Sequence, residues 1–127
     1  MKHFVIQFPD RWYIKSAFGW GNGYVAIPKG HPFFGLSYDE IHDKYDISVH
    51  GGLTFSCESI TGQPENTKGM WIVGFDTGHI NSGKLFPDEQ SVIDETIKLK
   101  KQIERYSLGT KINKLLDYGK ADSENPS

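Results

Sequence analysis

Apolar and polar positions change period once along this chain, and the change divides it. Up to about residue 76 the apolar residues fall in short runs broken by glycine and proline, the pattern of strands and turns. Residues 4–8 predict a first strand stopped by Pro9-Asp10, and residues 12–14 a second short one. After a turn-rich bridge over 18–23, residues 23–27 predict a strand ended by Pro28. Residues 47–50 begin another, bulged at Gly51-Gly52 and resumed over 53–56, because paired glycines inside a strand pattern mark bulges or close approach. Residues 58–69 predict an exposed connection, and 70–76 a nearly continuous buried strand.

From residue 87 the period lengthens. Val92, Thr96, Leu99, Ile103 and Tyr106 recur at helical spacing, with Ile93 and Ile97 widening the stripe. Pro87-Asp88-Glu89 opens that helix, and the pattern predicts an end near Tyr106, with Gly109 separating a shorter segment over 111–118. Ser37 and Glu40 have capping-box spacing, which predicts a short helical turn through Ile41 and His42. The fold class that follows is α+β, an antiparallel or mixed sheet covered on one side by a C-terminal helix. A single domain over 1–118 and a disordered tail over 119–127 complete the expectation.

Composition narrows the function classes. A chain of 127 residues suits one domain with a real core, and 37% hydrophobic with 24% charged residues suits a globular protein. The formal net charge of -2 and the mixing of signs argue against a duplex nucleic-acid partner, which calls for a concentrated basic face. The densest basic stretch, 98–105, alternates with Glu95, Gln102 and Glu104 and reads as a solvated helix face. A single cysteine, Cys57, forms no intrachain disulfide and points to a reducing, cytoplasmic setting, where it reads as an inert packed thiol. The apolar run at the N-terminus is too short for a membrane span, so no membrane partner is expected.

Candidate chemistry concentrates where histidine stands among glycines: Gly30-His31-Pro32, His50-Gly51-Gly52 and Gly74-Phe75-Asp76-Thr77-Gly78-His79. Histidine titrates, ligates metal or donates to an anion near neutral pH, and glycine lets backbone approach closely. His50, at the end of a strand and before two glycines, can project into a cleft beside backbone N–H groups, or simply hydrogen-bond at a bulge. Asp76 and His79, spaced Asp-x-x-His beyond the most apolar strand, present a catalytic pair, or an Asx-turn with an exposed histidine. His31 and Lys29 lie in a proline-held loop able to grip an anion, or to serve as a plain connection. His31, His50, Asp76 and His79 are separated by 19, 26 and 3 positions, which matches no short zinc signature, so no metal is assigned and the cofactor stays unknown. Trp20 and Phe33 are aromatic candidates for stacking a planar base, against an ordinary core role. His3 and His42 read as ordinary surface or strand histidines.

The stretches Gly23-Tyr24-Val25-Ala26-Ile27-Pro28-Lys29-Gly30-His31-Pro32, Val49-His50-Gly51-Gly52-Leu53-Thr54-Phe55 and Trp71-Ile72-Val73-Gly74-Phe75-Asp76-Thr77-Gly78-His79 together resemble a family of small uncharacterised proteins of bacteriophages and prophage-bearing bacteria. The resemblance covers roughly residues 23 to 106 and places its motifs on His31, His50, Gly51, Gly52, Asp76 and His79. It implies a phage-type accessory protein, and proteins of that kind often counter host defence. Two readings of different class follow. In one, the chain binds a phosphorylated small molecule such as a nucleotide signal, with Lys29, His31, Gly51, Gly52, Thr54, Trp20 and Phe33 as ligand contacts. In the other it is a small hydrolase or phosphodiesterase in which His50 and His79 exchange protons and Asp76 orients one of them. A blander third is a protein-interaction module with no ligand. A homo-oligomer that completes the pocket across a two-fold axis is compatible with all of them.

Overall fold

A computed structural model describes residues 1–9, 18–79 and 82–119, with side chains described as far as residue 107. Four strands form one antiparallel sheet: β1 (Lys2–Gln7), β2 (Gly21–Ile27), β3 (Phe55–Cys57) and β4 (Trp71–Phe75), in the order β1-β2-β4-β3. Three helices accompany it: α1 (Tyr38–Lys44), α2 (Ser82–Leu85) and the long α3 (Glu89–Gly119). The α+β expectation holds, with the sheet wholly antiparallel. The short strand expected over 12–14 and the tail beyond 119 lie outside the described residues.

Strand pleating sorts the core into two sides. Val25, Ile27, Val73 and Phe75 face α3 and join Phe33, Ile41, Leu53, Val92, Leu99 and Ile103 in the main cluster. Tyr24, Ala26 and Ile72 point the other way and pack with Phe4, Ile6, Phe55, Ile60 and Met70. The stripe predicted on the helix is the face that docks: Val92, Thr96, Leu99 and Ile103 are fully buried. Close approach of α3 to the sheet depends on Gly23, since a Cβ there would collide with the Thr96 hydroxyl and the Phe75 ring. The helix starts as predicted, Asp88 Oδ1 accepting the Ser91 N–H at 2.9 Å. It does not stop near Tyr106, however: α3 runs unbroken through Gly109 to Gly119. One interior glycine, a penalty of about 1 kcal/mol against alanine, does not suffice to end a helix. At α1 the capping box forms in full, Ser37 Oγ accepting the Glu40 N–H and Glu40 Oε1 accepting the Ser37 N–H.

The segment before β3 departs from the sequence reading. Only Phe55–Cys57 is strand, and residues 46–53 form a strap along α3. Its backbone is held by helix side chains rather than by a neighbouring strand. The Asp46 N–H donates to Tyr106 Oη (2.8 Å), the Ser48 N–H to Gln102 Oε1 (2.8 Å), and the His50 N–H to Glu95 Oε2 (2.9 Å). Gln102 Nε2 also donates to the Ser48 carbonyl at 2.7 Å. Alternating N–H groups of the strap thus find acceptors on one side of α3, and Glu95 and Gln102 are tethers rather than the solvated face expected of them. The connection over 58–69 joins β3 to β4 and is exposed at most positions, as expected. It contains a 3₁₀ turn (Glu65–Thr67), buries Thr67 and leans Ile60 on the second cluster.

Candidate functional site

Two loops meet where the strap ends and where β4 runs out. The first turns at residues 49–52, closed by the Gly52 N–H donating to the Val49 carbonyl at 2.8 Å. Gly51 and Gly52 have φ of +70° and +78°, the left-handed region that favours glycine, which explains the pair better than a strand bulge does. The turn lies between two imidazoles. A Cβ at Gly51 would stand 3.2 Å from His79 Nε2, and one at Gly52 3.5 Å from His42 Nε2.

The second loop carries Asp76 and His79. Asp76 Oδ1 accepts the Gly78 N–H at 2.9 Å, the Asx-type contact anticipated for it, and lies 3.2 Å from His79 Nε2. Its other oxygen accepts the Thr54 hydroxyl at 3.0 Å. The carboxylate is therefore fixed on both oxygens and beside an imidazole that is half exposed. Thr54 serves this carboxylate instead of standing free for a ligand. The rings of His50 and His79 lie 6.1 Å apart, centroid to centroid. His50 is wedged by Phe86, with ring centroids 4.7 Å apart, and its Nε2 lies 2.9 Å from Ser82 Oγ. That Ser–His distance suits a nucleophile and base, but Ser82 is only 2% exposed, so its hydroxyl holds the ring rather than meeting a substrate.

The account of backbone donors in this turn closes with one left over. The N–H groups of residues 50, 52, 53 and 54 donate to Glu95, Val49, His42 and Gly74 respectively. Gly51 alone has no partner among the described residues, and it is exposed. With both Nε2 atoms engaged, Nδ1 of His50 and Nδ1 of His79 are likewise without partners there. His50, Gly51, Gly52, Thr54, Asp76 and His79 are thus brought together.

Lys29, His31 and Phe33 are not. His31 Nδ1 accepts the Phe33 N–H at 3.0 Å, so Nε2 bears the proton and donates to the Ile103 carbonyl at 2.9 Å. Burial pushes its pKa below the ordinary histidine value, with the bond to Ile103 acting weakly in the opposite sense. Both ring nitrogens are spent on backbone, which leaves none for an anion or a metal. The anchor points of His31 and His50 on α3, Ile103 and Glu95, are eight residues and so roughly 12 Å apart along the helix. Phe33 is fully buried, packed on Tyr45 and Tyr106 with centroids 4.5 and 5.6 Å away, and presents no face to a base. Lys29 instead borders an open cleft of about 500 Å³ with Met1, Gly30, His31, Glu104 and Ser107. The imidazole on that cleft is the one already satisfied by backbone. Trp20 remains close to the histidines, its N–H donating to the Phe86 carbonyl at 2.8 Å. Among the described residues no three His, Cys, Asp or Glu side chains are grouped as metal ligands.

Three contributors escaped the sequence reading: His42, Ser82 and Glu95. The seven-residue spacing of Glu95 and Gln102 on α3 was the available signal, since it sets two polar groups on one flank of the buried stripe. His3, read as ordinary, accepts from Lys100 Nζ at 3.0 Å. Burial first, and the Lys100 charge second, lower its pKa. Cys57 Sγ donates to the Ser59 carbonyl at 2.8 Å.

The architecture is thus an antiparallel sheet backed by one long helix, with histidine-bearing loops at one end. No family model, curated protein or solved structure matches the chain. No described helix is long and apolar enough to cross a membrane.

Proposed function

We propose that the protein binds a phosphorylated small molecule, a nucleotide signal held out of circulation in the manner of a phage accessory protein, at the paired loops 50–54 and 76–79. One observation carries the reading: Nδ1 of His50, Nδ1 of His79 and the Gly51 N–H are unpartnered polar groups around a single turn. Imidazole and backbone N–H donors grouped beside one turn suit phosphate oxygens. Asp76 holds His79 in place without itself facing the anion, because both its oxygens are engaged. Trp20, whose backbone N–H donates to the Phe86 carbonyl beside His50, is the aromatic candidate for stacking the base. The phage association rests on the motif resemblance alone.

A second reading is favoured by the fixing of Asp76 on Thr54 and Gly78. An oriented carboxylate sets the tautomer of the adjacent imidazole, so His79 would act as general base at Nδ1 and His50 as general acid on a phosphodiester. Native mass spectrometry with cyclic and linear nucleotides separates the two. Intact nucleotide kept by the wild type and lost by a folded His50→Ala variant is the expected result. A cleaved product would establish the hydrolase, and no uptake across the panel would overturn both readings.

A further inference from the structure

We propose that His42 is the positioning residue of this site, holding the Gly51-Gly52 turn in shape only while its imidazole is neutral. The inference rests on the binding reading for its consequence, though not for its structural content. A backbone N–H can only donate, so the 2.9 Å contact from the Leu53 N–H requires a lone pair on His42 Nε2 and places the ring proton on Nδ1. A protonated ring has no lone pair to offer, and the Leu53 N–H, in a residue only 3% exposed, would lose its acceptor.

The latch sits where the turn is least restrained. On its N-terminal side the strap is tied to α3 three times over, ending at Glu95. On its C-terminal side the Thr54 N–H already belongs to the sheet, donating to the Gly74 carbonyl. Between these anchors lie two glycines, the residues with most backbone freedom to lose. His42 alone spans the gap from outside the turn, packing beside Gly52 as His79 packs beside Gly51. Releasing it frees the one unpartnered N–H, that of Gly51, to point elsewhere. Its own helix carries the titratable Tyr38, Asp39, Glu40, Asp43 and Lys44, and the turn it braces adjoins His50, Asp76 and His79.

The site therefore contains histidines with opposed requirements. His50 and His79 attract an anion better when protonated, whereas His42 must stay unprotonated to hold the turn. Protonation of His42 therefore opposes the anion binding that protonation of His50 and His79 favours, which gives the affinity an acid limb.

Amide exchange of Leu53, followed by NMR, tests the latch without any ligand. His42→Gln keeps an acceptor and His42→Leu removes it. Leu53 protection should fall roughly tenfold in His42→Leu and survive in His42→Gln. On acidification, after correction for intrinsic exchange, the same protection should fall further in the wild type than in His42→Gln. Equal protection in wild type and His42→Leu, or loss in both variants, would overturn the proposal. If His42→Leu fails to fold, the wild type compared with His42→Gln decides the matter. Pyrophosphate titration supplies the functional arm: His42→Leu should bind about tenfold more weakly, and His42→Gln should lose the acid limb of the pH profile. Equal affinity in all three proteins would refute positioning. Wild type that takes up no pyrophosphate at any pH would overturn the binding reading, and amide exchange would still judge the latch.

Discussion

Replacing His31 with alanine tests whether that histidine belongs to the core or to a site. The ring makes two buried hydrogen bonds, one from the Phe33 N–H and one to the Ile103 carbonyl. A net contribution of about 1 kcal/mol each is the ordinary value, and leaving the buried Phe33 N–H without an acceptor adds roughly 1 kcal/mol more. The edge-on contact with the Phe33 ring, centroids 4.9 Å apart, contributes about 0.5 kcal/mol or more. The loss is then about 3.5 kcal/mol, which for a domain of this size corresponds to a fall in Tm of about 14 °C. Thermal and urea unfolding followed by circular dichroism measure it. The pH dependence supplies a second check. Burial lowers the His31 pKa in the folded state, so the unfolded chain takes up a proton first as pH falls. The stabilisation is complete above about pH 7.5, declines as pH drops through the unfolded value of 6.5, and levels off below the folded pKa. Subtracting the His31→Ala curve from the wild-type curve isolates that limb from the parallel contribution of His3. A Tm within about 3 °C of wild type, or a flat difference curve between pH 8 and pH 5, would refute the assignment.

Gly23→Ala should cost about 1–3 kcal/mol by forcing α3 off β2, read as a lower urea midpoint with unchanged slope. Gln102→Ala removes both bonds to Ser48 and should cost about 1 kcal/mol while raising amide exchange at Ser48 selectively. Gly51→Ala places a left-handed backbone under about 1 kcal/mol of strain and crowds His79, so nucleotide uptake should fall more than stability does. Asp76→Asn separates the two functional readings. If the carboxylate only restrains His79, anion affinity changes by a few-fold; if it orients a general base, turnover falls by about 10²-fold or more while binding persists.

Local signals were legible in the chain because they act over a few residues. The capping box at Ser37 and Glu40, the apolar stripe from Val92 to Ile103 and the apolar runs of β2 and β4 all depend on local pattern alone, and each is found where that pattern puts it. The same local rules misled at Gly109, where one glycine was read as a helix end, and at residues 47–50, where β-branched residues were read as a strand. In the second case the outcome was decided by acceptors far off in the chain: Glu95, Gln102 and Tyr106 take the N–H groups that a neighbouring strand would have taken. The histidines divide in the same way. Glycine-flanked histidine motifs mark His31, His50 and His79 alike, but only tertiary packing shows that His31 spends both nitrogens on backbone, at a helix anchor about 12 Å from that of His50. It is also tertiary packing that raises His42, unremarkable in its helix, to the acceptor of the Leu53 N–H. Sequence determines which groups are able to donate and accept; the fold decides which of them are already satisfied, because a hydrogen bond between residues tens of positions apart leaves no trace in local spacing.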